Sequence, residues 1–279
     1  MKTASLFSAL AAASGVAALL EPGMPKHLVQ NPDDAADAVA RIPTSYESAV
    51  MGRRILALTK LAELATVFPA GAHSASGGDL SGMPIGLMDY VADCEDKGNP
   101  TILAITIATS FKNVAAGSNI SLSMHWVPPF PPVKRISLLS SLKNRIFGSS
   151  TEEQNVMASP DTVPYSAANL PRFSLMGYLE KIPADPVNSL RLANCFVKKH
   201  PDSKYWLPGS PVHESEWVRF VVTSVYWIGG FGDRAYIGWI PLDEWQKVTR
   251  EEYEAIKLPG EERGWKEWSV NSWFDSNDL

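Results

Sequence analysis

The chain has 279 residues, 45% of them hydrophobic and 20% charged, and a net charge of −5. That is apolar material for one globular domain of roughly 200 residues with decorations, large enough to bury a core without staples. The acidic balance and the lack of any basic run interleaved with aromatics exclude a nucleic-acid partner, since a phosphate backbone is met by clustered cations.

At the start, Lys2 precedes an uncharged run from Thr3 to Leu20, and Val16-Ala17-Ala18 has the small residues of a signal-peptidase site. Residues 1–18 read as a secretory signal, with an ordinary N-terminal helix as the alternative, which places the product in the secreted or secretory/vacuolar route. No later stretch approaches the ~20 apolar residues of a membrane span. Residues 19–44 form a polar, proline-bearing lead that turns helical from Asp33. A helix follows from Tyr46 to Leu61, with Val50, Met51, Ile55, Leu58 and Leu61 on its apolar side. Arg53 and Arg54 on this helix are expected to face water.

Leu64 to Phe68, Met83 to Ala92, Thr101 to Ala108 and Ile120 to Val127 read as strands. The turn CEDKGNP separates the second from the third, and TSFKNVAAGSN forms a short helix or turn before the fourth. A Gly/Ser/His loop carries His73, which reads as a bystander. The pattern then breaks down from 128 to 171, an irregular insertion of the kind that serves as a lid or a mobile segment. Arg172 to Ile182 is strand again, and Pro186 to His200 is a helix ended by Pro201.

In the following strand, Val218, Phe220, Val222, Ser224 and Tyr226 alternate with Arg219, Val221, Thr223, Val225 and Trp227. Both sets are rich in β-branched and aromatic residues, so the strand is expected to be covered on both faces. Gly229, Gly230 and Gly232 then make a turn into Ala235–Ile240, either a plain hairpin or a turn shaped to admit a ligand or a partner. A short acidic helix, TREEYEAI, and a Trp-rich tail over 257–279 close the chain. Six or so strands with few helices predict a mainly β, six-stranded antiparallel barrel with helices packed outside, spanning 45–256.

Cys94 and Cys195 fit either one disulfide or two buried thiols. Asn119-Ile120-Ser121 is a glycosylation sequon. No metal pattern surrounds the cysteines, no nucleophile elbow supports hydrolase chemistry, and the G-x-G of GGFGD precedes a strand, which excludes a dinucleotide fingerprint. His125, His200 and His213 are the histidines to weigh as haem ligands. His200, at a helix end, reads as a structural cap. The strand phase of His125 is open.

The order of a strand ending in HWVPP, the strand SLMGYLEKI, the helix CFVKKHP, the strand WVRFVVTSVYWIGGFG and the helix VTREEYEAI resembles the flavin-type split-barrel superfamily. Within it, the chain resembles the secreted CREG-type glycoproteins, over roughly 45–127 and 171–256. GGFGDRAYIGWIP is also similar to a turn in the haem-utilisation branch. The resemblance implies a homodimeric six-stranded split barrel, with any flavin mononucleotide (FMN) at the subunit interface.

By resemblance to the pyridoxamine 5′-phosphate oxidases, Lys112 falls where a basic group meets the flavin phosphate, beside Ser110. Thr109 falls where that family places an arginine, and Arg172 where it contacts the flavin ring. The strand from Met83 to Tyr90 lacks the oxidases' basic residues, which implies a degenerate flavin site and no cofactor. The expected function is that of a secreted CREG-like protein binding a small-molecule or protein ligand. An FMN-dependent oxidoreductase is the first alternative and a haem-binding protein the second. Exposed apolar surface at Phe231, Trp239 and Trp245 is expected to support the homodimer.

Overall fold

A computed structural model describes residues 42–130, 166–211, 213–232 and 234–263. The proposed signal, the Asp33 helix and most of the 128–171 insertion and the Trp-rich tail lie outside the described residues.

Helix α1 (Ser45–Leu58) starts at a capping box in which Thr44 and Glu47 satisfy each other's backbone N–H groups. Strands β1 (Leu61–Val67), β2 (Pro84–Ala92) and β3 (Thr101–Ile105) follow. Helix α2 (Thr109–Ala115) leads into β4 (Ile120–His125), and β5 (Arg172–Lys181) into helix α3 (Pro186–Lys199). The long β6 (Ser215–Ile228), β7 (Ile237–Ile240) and helices α4 (Leu242–Lys247) and α5 (Arg250–Ala255) complete the order.

The strands pair antiparallel in the order β3-β2-β1-β4-β5-β6-β7, and β3 also pairs with β6. That second pairing closes a six-stranded barrel and leaves β7 as a flap on the far half of β6. Leu64, Leu122, Leu175, Phe220, Val225 and Trp227 fill the interior, and α1, α4 and α5 add to the same core. The core extends to Leu258, which is buried in it, and Trp126 Nε1 donates to the Pro259 carbonyl at 2.6 Å.

Two expectations are corrected here. Arg53 is buried rather than solvated: it pairs with Asp93 at 2.9 Å and donates to the carbonyls of Trp245 and Val248. Arg54 pairs with the half-buried Glu261. An arginine can go inside a core when its fork finds several acceptors, and here they come from distant parts of the chain.

Strand β6 does not keep one alternation along its length. From Val218 onward its buried residues are Val218, Phe220 and Val222, then Val225 and Trp227, a change of phase. The cause is a bulge. Met176 pairs with Ser224 and Gly177 with Val222, so Thr223 is the extra residue. Gly177 lies so close to β6 that a Cβ there would sit 2.0 Å from the Val221 carbonyl oxygen. The bulge turns Ser224, Tyr226 and Ile228 outward.

A second, smaller core lies outside the barrel under α3, built from Leu192, Phe196, Trp217, Ile182 and Leu103. Cys94 and Cys195 are disulfide-bonded there, which settles the alternative the sequence left open. His200 is structural, as expected: it is buried, stacks on Tyr90 at 4.6 Å and hydrogen-bonds the Val91 carbonyl. Burial lowers the pKa of this imidazole.

Candidate functional site

Because side chains alternate across a sheet, the outward positions of neighbouring strands line up in rows. Met88 pairs with Glu63, Glu63 with Ser123, Ser123 with Ser174, Ser174 with Tyr226 and Tyr226 with Trp239, one row across five barrel strands and the flap. Their inward neighbours Ala62, Leu64, Leu122, Met124, Phe173 and Trp227 are buried. The next outward row holds His125, Arg172 and Ile228.

Over these rows lies a cleft of about 540 Å³, bordered by Thr59, Leu61 and Val127. A smaller hollow, lined by Trp126, Ala167, Ala168 and Leu170, continues from it past His125 and Arg172. The cleft is chiefly apolar, with Met88 67%, Val127 57% and Leu61 41% exposed. Such a concavity with a few convergent polar groups is the usual form of a ligand site.

Its polar groups are distinct. Ser123 and Ser174 hydroxyls pair with each other at 3.1 Å. Arg172 Nη1 lies 3.4 and 3.5 Å from the carbonyls of Ala167 and Leu170. No carboxylate among the described residues pairs with this guanidinium. Glu63 lies flat over Gly86, where a Cβ would come within 2.1 Å of its Oε1. His125 is exposed at the rim, so its open phase resolves outward.

The residues the resemblance selected fall in two places. Arg172 lines the cleft, at the start of β5. Thr109, Ser110 and Lys112 stand on α2, before the opposite end of β4, where Asn113 Nδ2 donates to Thr66 Oγ1 at the end of β1. Lys112 is exposed and Ser110 buried. His213 is exposed in the loop before β6 and does not border the cleft. Sequence reasoning missed Glu63, Ser123, Ser174 and Tyr226, which meet only through strand register. Among the described residues no cluster of His, Cys, Asp and Glu could hold a metal ion.

The barrel order and its closure agree with a family model described as CREG, β-barrel, which matches residues 43–253, well over half of the chain. The chain belongs to the CREG β-barrel family. No curated protein matches this CREG chain in sequence.

Among solved structures, it is similar to a haem-binding protein from Mycobacterium smegmatis, at 19% identity over 79% of this chain and 63% of that one, TM-score 0.43. It is similar to ChuZ from Campylobacter jejuni at 10% identity, over 70% and 60%, TM-score 0.42. The haem storage protein HutZ from Vibrio cholerae is 12% identical over 63% and 89%, TM-score 0.36. This CREG chain thus spans less than two thirds of the mycobacterial and Campylobacter chains.

A flavin phosphate fits the cleft poorly. Among its described lining residues Arg172 is the one permanent cation and Glu63 a facing carboxylate, whereas a dianionic phosphate is held by several donors of positive charge. Strand β2 offers no basic side chain on either face.

Proposed function

We propose that this chain is a secreted CREG protein that binds a ligand in the outer-face cleft and performs no flavin chemistry. The observation that carries this reading is the donor set of the cleft, one arginine and one glutamate on walls that otherwise carry hydroxyls, one imidazole and apolar side chains. Absorption of the purified protein tests it. A spectrum without flavin bands, and no quenching of added FMN fluorescence, is expected; bound flavin would overturn the reading. In the oxidoreductase alternative, Lys112, Thr109, Ser110 and Arg172 hold the cofactor, and Lys112→Ala weakens FMN binding about ten- to a hundredfold.

The outward, exposed position of His125 beside Arg172 favours one second reading, haem held by that imidazole. A Soret band lost in His125→Ala would support it.

The same proposal includes cleavage of the signal near Leu19, glycosylation of Asn119 and homodimerisation. Asn119 is exposed, so entry into β4 does not hide the sequon. Intact mass of secreted material tests both modifications, and a retained Met1 would exclude the secretory route. Trp245 is buried and leaves the dimer argument. Trp239, Ile237 and Phe231 remain exposed and carry it. No helix among the described residues is long and apolar enough to cross a membrane.

A further inference from the structure

The cleft is polarised along its length. Arg172 stands at one end beside His125, while Glu63 stands two strands away and one outward row along. Between them one of the Ser123 and Ser174 hydroxyls donates to the other, so the middle of the cleft keeps a single O–H to offer a ligand. Met88, Leu61, Val127 and Ile228 supply the apolar walls.

We propose that the ligand of this cleft is an amphipathic monocarboxylate, its apolar body along the outward rows and its carboxylate against the Arg172 guanidinium. This rests on the non-redox reading above and adds the ligand class to it. Two features select that chemistry.

Nη1 of Arg172 makes long contacts, 3.4 and 3.5 Å, to the carbonyls of Ala167 and Leu170, which do not neutralise its charge. A planar guanidinium with its charge uncompensated suits a planar carboxylate. Glu63 is laid against the sheet because Gly86 has no side chain, and it places a negative charge where the far end of the ligand rests. A second anionic group there is repelled, so diacids and long phosphates are disfavoured. A cavity of about 540 Å³ accepts a body of small-molecule size.

The test is fluorescence titration of the full chain with dansylaminoundecanoic acid and, separately, with its methyl ester, which has the same body without the charge. The acid is expected to bind at least about tenfold more tightly, the scale of one charge-assisted contact. Arg172→Gln brings the acid to the affinity of the ester, and Glu63→Gln tightens the acid a fewfold. Thermal midpoints of the variants check that both are folded.

Equal binding of acid and ester, an acid preference that survives Arg172→Gln, or no binding of either probe would each overturn the proposal. Failure of the underlying reading looks different. Flavin bands in the purified protein would remove the non-redox function whichever probe binds.

Discussion

The outer wall of the barrel is treated in two ways. Where β2, β3 and β6 begin or end beneath α3, the wall is covered, cross-linked by Cys94–Cys195 and ringed by Arg219 with Glu95 and Glu180. Where β1, β4, β5 and the far half of β6 run side by side, between Met88 of β2 and Trp239 of β7, it presents Ser123, Ser174 and Tyr226 along a cleft, and no described helix covers it. The first side has the composition of a core and the second that of a recognition surface. Substitutions on the covered side should therefore change stability and leave binding alone, and those on the cleft side the reverse.

The largest effect is expected from the disulfide. It closes a loop with a sequence separation of 101, and in the chain-entropy account such a cross-link stabilises by about 4.7 kcal/mol. Cys94→Ala with Cys195→Ala should lower the urea midpoint accordingly while probe titrations of the cleft keep their wild-type affinity. Loss of binding in a still-folded double variant would break the division between the two sides.

Next in size is Arg53→Ala. It strands the buried Asp93 carboxylate, whose pKa burial already raises, and removes donors to two core carbonyls. Breaking a buried pair from one side costs about 3 kcal/mol or more. A denaturation midpoint within experimental error of wild type would show that the pair is structurally idle.

The sequence disclosed the barrel because strand alternation and turn chemistry are local. β2, β4 and β5 lie where Met83–Ala92, Ile120–Val127 and Arg172–Ile182 were expected, within two residues at each end. Arg53 was misplaced because its partners sit 40 to 195 residues away, and nothing in the helix pattern announces them. The phase of β6 was hidden for a different reason. A bulge is made jointly by two strands, and from Thr223 alone the alternation reads as unbroken. The cleft depends on that bulge, since without it Tyr226 would point inward. Arg172 and His125 were visible as candidates, but the row joining Glu63, Ser123, Ser174 and Tyr226 exists only once register is known.

A moderate, pH-dependent effect is expected at Asp89. It pairs with Ala62 on the inward register of β2, and burial pushes its carboxyl up to about 6 from 3.8. The folded state therefore holds the proton more tightly than the unfolded chain, so this group's contribution is fully present below about pH 4 and is lost as pH rises through 6. Asp89→Asn removes that loss. It should stabilise by about 3 kcal/mol at pH 7 and by about 0.5 kcal/mol near pH 4, compared by urea unfolding. An equal gain at both pH values would assign the effect to packing instead of charge.

The smallest change in stability is expected on the flap beside the cleft. Trp239 is 58% accessible on the short β7 and meets Tyr226 edge-on at 5.0 Å between ring centres. The hydrogen bond from the Tyr236 hydroxyl goes to the Trp239 carbonyl, which a side-chain substitution leaves in place. Trp239→Ser should thus alter unfolding free energy by about 0.5 kcal/mol or less, as surface changes usually do. If Trp239, Ile237 and Phe231 form a contact between copies, the same substitution should convert a dimer to a monomer in sedimentation at micromolar concentration. A wild type that is already monomeric would refute the dimer. A variant that stays dimeric would move the contact away from β7, leaving the aromatic row to the ligand alone.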